Sequence, residues 1–126
     1  MKRVITALLL AVFAVCVCLV GSAVTDYRTQ AIVEAMNEIE EHIQNGDSEG
    51  ALQLSQNLQK DWEGMHGQLC LFLQHEHLDP LESIFAVLPY YLEQGDLSTA
   101  QKECELARTV TEHIIKTERI SLENIL

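Results

Sequence analysis

Positive charge is scarce in this chain: 8 lysines and arginines stand against 19 aspartates and glutamates. Two of the cations, Lys2 and Arg3, precede every acid, so from Thr25 onward 6 basic side chains face 19 acidic ones, a net of −13. Such a surface repels phosphate backbones and anionic headgroups, which excludes nucleic acid as a partner. Prolines number 2, and no stretch alternates apolar with polar residues, which leaves strands without a signal. A glycine-rich phosphate loop, a serine–histidine–aspartate order and a paired-carboxylate motif are all missing. No catalytic residue and no cofactor are therefore assigned, and a non-enzymatic role is expected.

What the chain does have is one long apolar run. Val4 to Val20 contains Thr6 as its single weakly polar member, and Gly21 to Val24 extends the uncharged stretch to 21 residues before Asp26. At 1.5 Å per residue, about 20 apolar residues match the hydrocarbon thickness of a bilayer. Lys2 and Arg3 before the span, against a mixed Asp26/Arg28 flank after it, place the N-terminus in the cytoplasm. Residues 1–24 thus read as a signal-anchor, with the membrane contacted through residues 4–24. Residues 25–126 read as an extracytoplasmic domain of a single-pass cell-membrane protein. The competing reading is a signal peptide cleaved at Gly21-Ser22-Ala23, which would release a secreted helical protein. The length of the apolar run favours the anchor. A lipidated cysteine is disfavoured, because Val15 and Val17, not small residues, precede Cys16 and Cys18.

Every later segment reads as helix. Ile32, Ala35/Met36, Ile39 and Ile43 recur at three- and four-residue spacing over Thr25 to Asn45, and no proline separates this segment from the span. A second helix is predicted from Ser48 to about His75, with the stripe Ala51, Ser55, Leu58, Trp62, Met65, Leu69 and Phe72. Gly64 and Gly67 inside it imply either a close approach or, as the segment lengths favour, a kink that turns Leu69–Leu73 into a buried run. A third helix is predicted over Pro80–Gln94, apolar on nearly all sides, with Pro89 bending its last turns. The fourth runs from Leu97 to about Asn124, on the stripe Leu97, Ala100, Cys104, Ala107, Val110/Thr111, Ile114, Ser121/Leu122 and Ile125.

A weak internal repeat organises these helices. "IQNGDSEGA" (43–51) and "LEQGDLSTA" (92–100) align at an offset of 49. Glycine accepts the left-handed conformation past a helix end, and aspartate caps the next helix. The expected fold is all-α: a transmembrane helix followed by a four-helix antiparallel bundle made of two helical hairpins. The "GDxxxA" phrase also resembles a tetratricopeptide repeat, but the offset departs from that family's 34 residues.

"FLQHEHLDPLES" (72–83) concentrates the polar chemistry. Asp79, Pro80 and Glu82 fit a helix start, with Asp79 at the cap. His75 and His77 then fall in the preceding helix's last turn, where imidazoles suit the negative end of the dipole. His66 sits beside the Trp62/Leu69 stripe. His66, His75 and His77 are the metal candidates, set against the simpler reading of a helix boundary and a half-buried histidine. No metal site is assigned. His42 and His113 are surface positions. Axial tracing permits a Cys70–Cys104 disulfide, whereas packing alone explains Cys104, and the sequence leaves both open.

Trp62 with the apolar helix to His75, then "LDPLESIFAVLPYYLEQGD" (78–96), then the closing "SLENIL" (121–126) are together similar to the bacterial family called domain of unknown function 4363. That resemblance implies one N-terminal membrane segment and an all-helical outer domain. It carries no established activity, and the family's frequent neighbour, another small membrane protein, implies a membrane-protein partner. The functional expectation is an interaction or accessory module, with a metal-ion or small-ligand binding domain as the alternative.

Overall fold

The computed structural model describes residues 1–125; of the side chains of Ser121, Leu122 and Ile125 nothing is described, so those stripe positions of the fourth helix lie outside the described residues. Among the described residues there is no strand. Four helices follow one another: α1 Lys2–Gln44, α2 Ser48–Leu69, α3 His75–Glu93 and α4 Leu97–Ile125.

The apolar span and the segment after it form one uninterrupted helix, α1, about 64 Å long for its 43 residues. Its two halves have different surroundings. Met1 through Val20 are all exposed, and burial begins at Gly21. From there Gly21, Thr25, Thr29, Ile32, Met36, Ile39 and Ile43 form a buried stripe at helical spacing. The lower part of this stripe consists of small and hydroxyl-bearing residues, which let neighbouring side chains come close. A Cβ built on Gly21 would collide with the Phe72 ring, 2.7 Å from its Cε1. Thr29 turns its hydroxyl back to the Thr25 carbonyl at 2.7 Å, which satisfies it inside the core.

Both glycine–aspartate turns have the anticipated chemistry. Gly46 and Gly95 take φ of +78° and +74°. The Asp47 amide donates to the His42 carbonyl (2.8 Å) and the Asp96 amide to the Tyr91 carbonyl (3.0 Å), the six-to-one bond of a Schellman motif. Asp47 Oδ1 then accepts from the Gly50 amide (2.9 Å), and Asp96 Oδ1 from the Thr99 amide (3.2 Å). These bonds hold both carboxyls below the usual carboxylate range, through the Gly50 amide and His42 at Asp47 and through Thr99 at Asp96. His42, expected at the surface, adds a 2.9 Å contact from Nδ1 to Asp47 Oδ2.

α1 packs on α2 and α4, and α3 packs on the same two helices. The shared core contains Leu58, Trp62, Met65, Leu69, Leu78, Leu81, Phe85, Leu88, Ala107 and Ile114. Trp62 meets Phe85 edge to face at 5.0 Å between ring centres. An ion pair between Arg108 on α4 and Glu40 on α1 clamps the outer edge.

Three expectations require correction. α2 stays helical through Gly64 and Gly67 and ends at Leu69, not near His75. No heavy atom lies within 4 Å of a Cβ built at either glycine, so neither marks a close approach. The apolar run 69–73 is accommodated by a turn: Leu73 donates to the Leu69 carbonyl at 2.7 Å, and both leucines are buried while Leu71 faces outward and Phe72 lies half-exposed against Gly21. α3 begins at His75, five residues before Pro80, so Asp79 is no cap and Pro80 lies in the second turn. The reason is tertiary. Extending α3 backward brings fully buried Leu78 into line with Leu81, Ile84 and Phe85, worth about 1.5–3 kcal/mol for one leucine. Against that, Pro80 forfeits a backbone bond and sets its ring against the Glu76 carbonyl, costing about 3 kcal/mol, so the burial of Leu78 offsets most of that cost and its neighbours in the core supply the rest. α3 is apolar on nearly all sides without being buried on all of them, since Val87 and Tyr90 are exposed.

Candidate functional site

His66 and Cys70 stand one turn apart at the end of α2, and the Cys70 amide bonds to the His66 carbonyl at 2.9 Å. This spacing puts both side chains in one column above Trp62. Trp62 is buried and its ring lies 5.5 Å from that of His66, which seats the imidazole against the core. The tight turn that buries Leu73 reverses the chain and delivers His75, the first residue of α3, to the same place. The His66 and His75 rings are 5.5 Å apart between centres.

Cys70 Sγ occupies the middle of this group. It lies 3.5 Å from His66 Nε2, 3.7 Å from His66 Nδ1 and 3.5 Å from His75 Nδ1. The ligating atoms of all three residues fall within 4.8 Å of one another. Cys70 and His66 are half-buried and His75 is exposed, so the cluster opens to solvent on one side.

Of the three histidines singled out in the sequence, the structure joins His66 to His75 and sends His77 elsewhere. His77 faces α4, lining a shallow cleft with Pro80, Val110, His113 and Ile114. There its charge acts against the effect of burial, which raises the Glu118 carboxyl above its ordinary range. Because His75 and His77 open α3 rather than close α2, the favourable helix-dipole environment assigned to them does not exist. The third member of the cluster is Cys70, and its signal was the histidine–cysteine spacing of four.

Cys70 and Cys104 are both free thiols. Cys104 is fully buried and sits near Glu40, high on α1; burial, assisted by the Glu40 charge, pushes its thiol up to about 12. Cys70 lies two residues from Phe72, which packs on Gly21. Glu40 and Gly21 are separated by 19 residues of one helix, about 28 Å. A disulfide tolerates no more than about 7 Å between Cα atoms. The earlier ending of α2 and the earlier start of α3 undo the axial match.

Residues 20–125 match the family model of the domain of unknown function DUF4363. The chain belongs to this family. In DUF4363 terms, the matched region begins where α1 starts to be buried and takes in the whole His66–Cys70–His75 cluster. No curated protein and no solved structure matches the chain.

Proposed function

We propose that this DUF4363 protein is a single-pass anchor in the cell membrane carrying an antiparallel four-helix bundle outside the cytoplasm, and that it serves as a non-enzymatic interaction or accessory module. The anchor half of α1 and the first helix of the bundle are one rod, so the outer unit is held at a fixed height above the bilayer. The observation that carries this reading is the contrast along α1: a helix with an apolar window long enough to cross a membrane is exposed through Val20 and buried on one face from Gly21 onward.

Further support comes from the α2–α3 turn. A span starting at Val4 and crossing about 30 Å ends near Ala23. Phe72, packed on Gly21, therefore lies at the edge of the lipid. Leu71 (77% exposed), Phe72 (37%) and Tyr27 (70%) are found at this height, where an apolar or aromatic side chain is at ease in the interfacial belt. Cleavage at Gly21-Ser22-Ala23 would remove the surface on which Phe72 rests, which favours the retained anchor over a secreted product. Lys2 and Arg3 support a cytoplasmic N-terminus.

Protease added to intact cells is expected to digest α2–α4, whereas the same protease on inside-out membrane vesicles leaves them whole. The reverse pattern contradicts the orientation. Affinity capture of the full chain, compared with a chain whose residues 1–24 are replaced by an unrelated cleavable signal, tests the accessory role. Loss of a membrane-protein partner with the anchor is expected, and an identical partner set contradicts membrane-dependent assembly.

A further inference from the structure

We infer that His66, Cys70 and His75 form a binding site for a zinc-class divalent metal ion, held by one thiolate and two imidazoles with a fourth position open to water.

The spacing of the donor atoms is that of a coordination sphere. With zinc–sulfur bonds of about 2.3 Å, zinc–nitrogen bonds of about 2.0–2.1 Å and a tetrahedral angle, sulfur and nitrogen ligands stand about 3.5 Å apart. Cys70 Sγ lies 3.5 Å from a nitrogen of each histidine; being 3.7 Å from His66 Nδ1 as well, it faces the His66 ring rather than one lone pair, so that imidazole turns about its ring torsion to ligate. Two imidazole nitrogens on such an ion are about 3.3 Å apart. The pair here is within 4.8 Å and needs to close by at most about 1.5 Å, within reach of side-chain rotation at exposed His75.

Hydrogen bonding joins the arrangement only weakly: the thiol donates to a nitrogen of one ring and accepts from the N–H of the other, and sulfur is poor in both roles. A metal ion satisfies all three groups at once. Binding displaces the thiol proton, which passes to solvent, and no electron is transferred. The donor set selects the metal: thiolate and imidazole suit zinc and copper, while calcium and magnesium demand oxygen ligands. The acidic surface plays no part in it. Fixed backbone on either side pre-organises the site, with His66 against Trp62 and the turn locked by buried Leu73. The inference does not depend on the membrane reading, because none of its ligands lies in the span.

Cobalt(II) titration of the full chain in detergent micelles tests it, in a background where Cys16 and Cys18 are alanine. One equivalent is expected to give a sulfur-to-cobalt charge-transfer band in the near ultraviolet with the intense visible bands of four-coordination, and zinc should bleach both. Cys70→Ser should abolish the charge-transfer band. His75→Ala, at an exposed position, should weaken binding by about tenfold or more, since even outer-sphere changes cost about that much. Circular dichroism checks that each variant is folded, and Cys104→Ser should bind like the parent. Folded protein without the charge-transfer band, or a band that survives Cys70→Ser, overturns the site.

Discussion

Replacing Gly64 and Gly67 with alanine should stabilise the protein, because both are exposed residues inside a helix. Each is α-helical within Ser48–Leu69. Gly46 and Gly95, not these two, hold the positive φ angles. A Cβ added at Gly64 or Gly67 meets no heavy atom within 4 Å. The substitution therefore changes little besides the helical preference of the backbone, worth about 0.8–1.0 kcal/mol per site. The double variant should gain about 1.5–2 kcal/mol. For a unit of this size 1 kcal/mol moves the midpoint by about 4–8 °C, so the pair should raise Tm by about 6–16 °C. Gly46→Ala and Gly95→Ala provide the opposing arm, each losing about 1–2 kcal/mol because the left-handed conformation strains a residue with a Cβ. Thermal and urea unfolding of the full chain, followed by circular dichroism, reads all four variants. Destabilisation by Gly64→Ala or Gly67→Ala would refute the open setting of both glycines and restore the close approach that the sequence suggested.

Three other outcomes follow from particular contacts. Gly21→Leu drives a side chain into the Phe72 ring and should lower stability by about 1–3 kcal/mol in the same unfolding assay, with Phe72→Ala in the Gly21→Leu background recovering part of the loss. A maleimide at about pH 8 should label Cys70 in the folded protein and reach Cys104 only after unfolding, because Cys104 is buried with its thiol at about 12; in pH-dependent unfolding, that thiol's contribution is whole below pH 9 and declines from 9 toward 12 as the unfolded chain ionises, so Cys104→Ala should flatten this alkaline loss. Asp47 and Asp96 titrate below 3.8, so their contribution is present above about pH 4 and lost on further acidification; the double Asn variant keeps the caps and should show a shallower acid transition.

How much the sequence revealed depended on how local the cause was. The two glycine–aspartate turns were legible because their chemistry is complete within six residues: a left-handed glycine, a cap and a buried alanine. The α2–α3 boundary was misplaced because Asp79-Pro80-Leu81-Glu82 imitates a helix start, whereas the actual start depends on burying Leu78 against distant helices. The lower stripe of α1 escaped notice for a related reason. Gly21, Thr25 and Thr29 are not hydrophobic, and only the approach of Phe72 and the neighbouring helices shows why small residues recur there. His66 and Cys70 could be paired by their spacing on one helix. His75 could not be added to them, because the turn of residues 70–74 that brings it back has no distinctive sequence signature.

The central claim is that one helix joins the lipid to the packed unit and remains intact. Intact-mass measurement of the protein extracted from membranes tests this directly. A chain that retains Lys2 through Val24 and stays with the membrane after alkaline washing is expected. A mature chain beginning near Val24, recovered free of membranes, would contradict it.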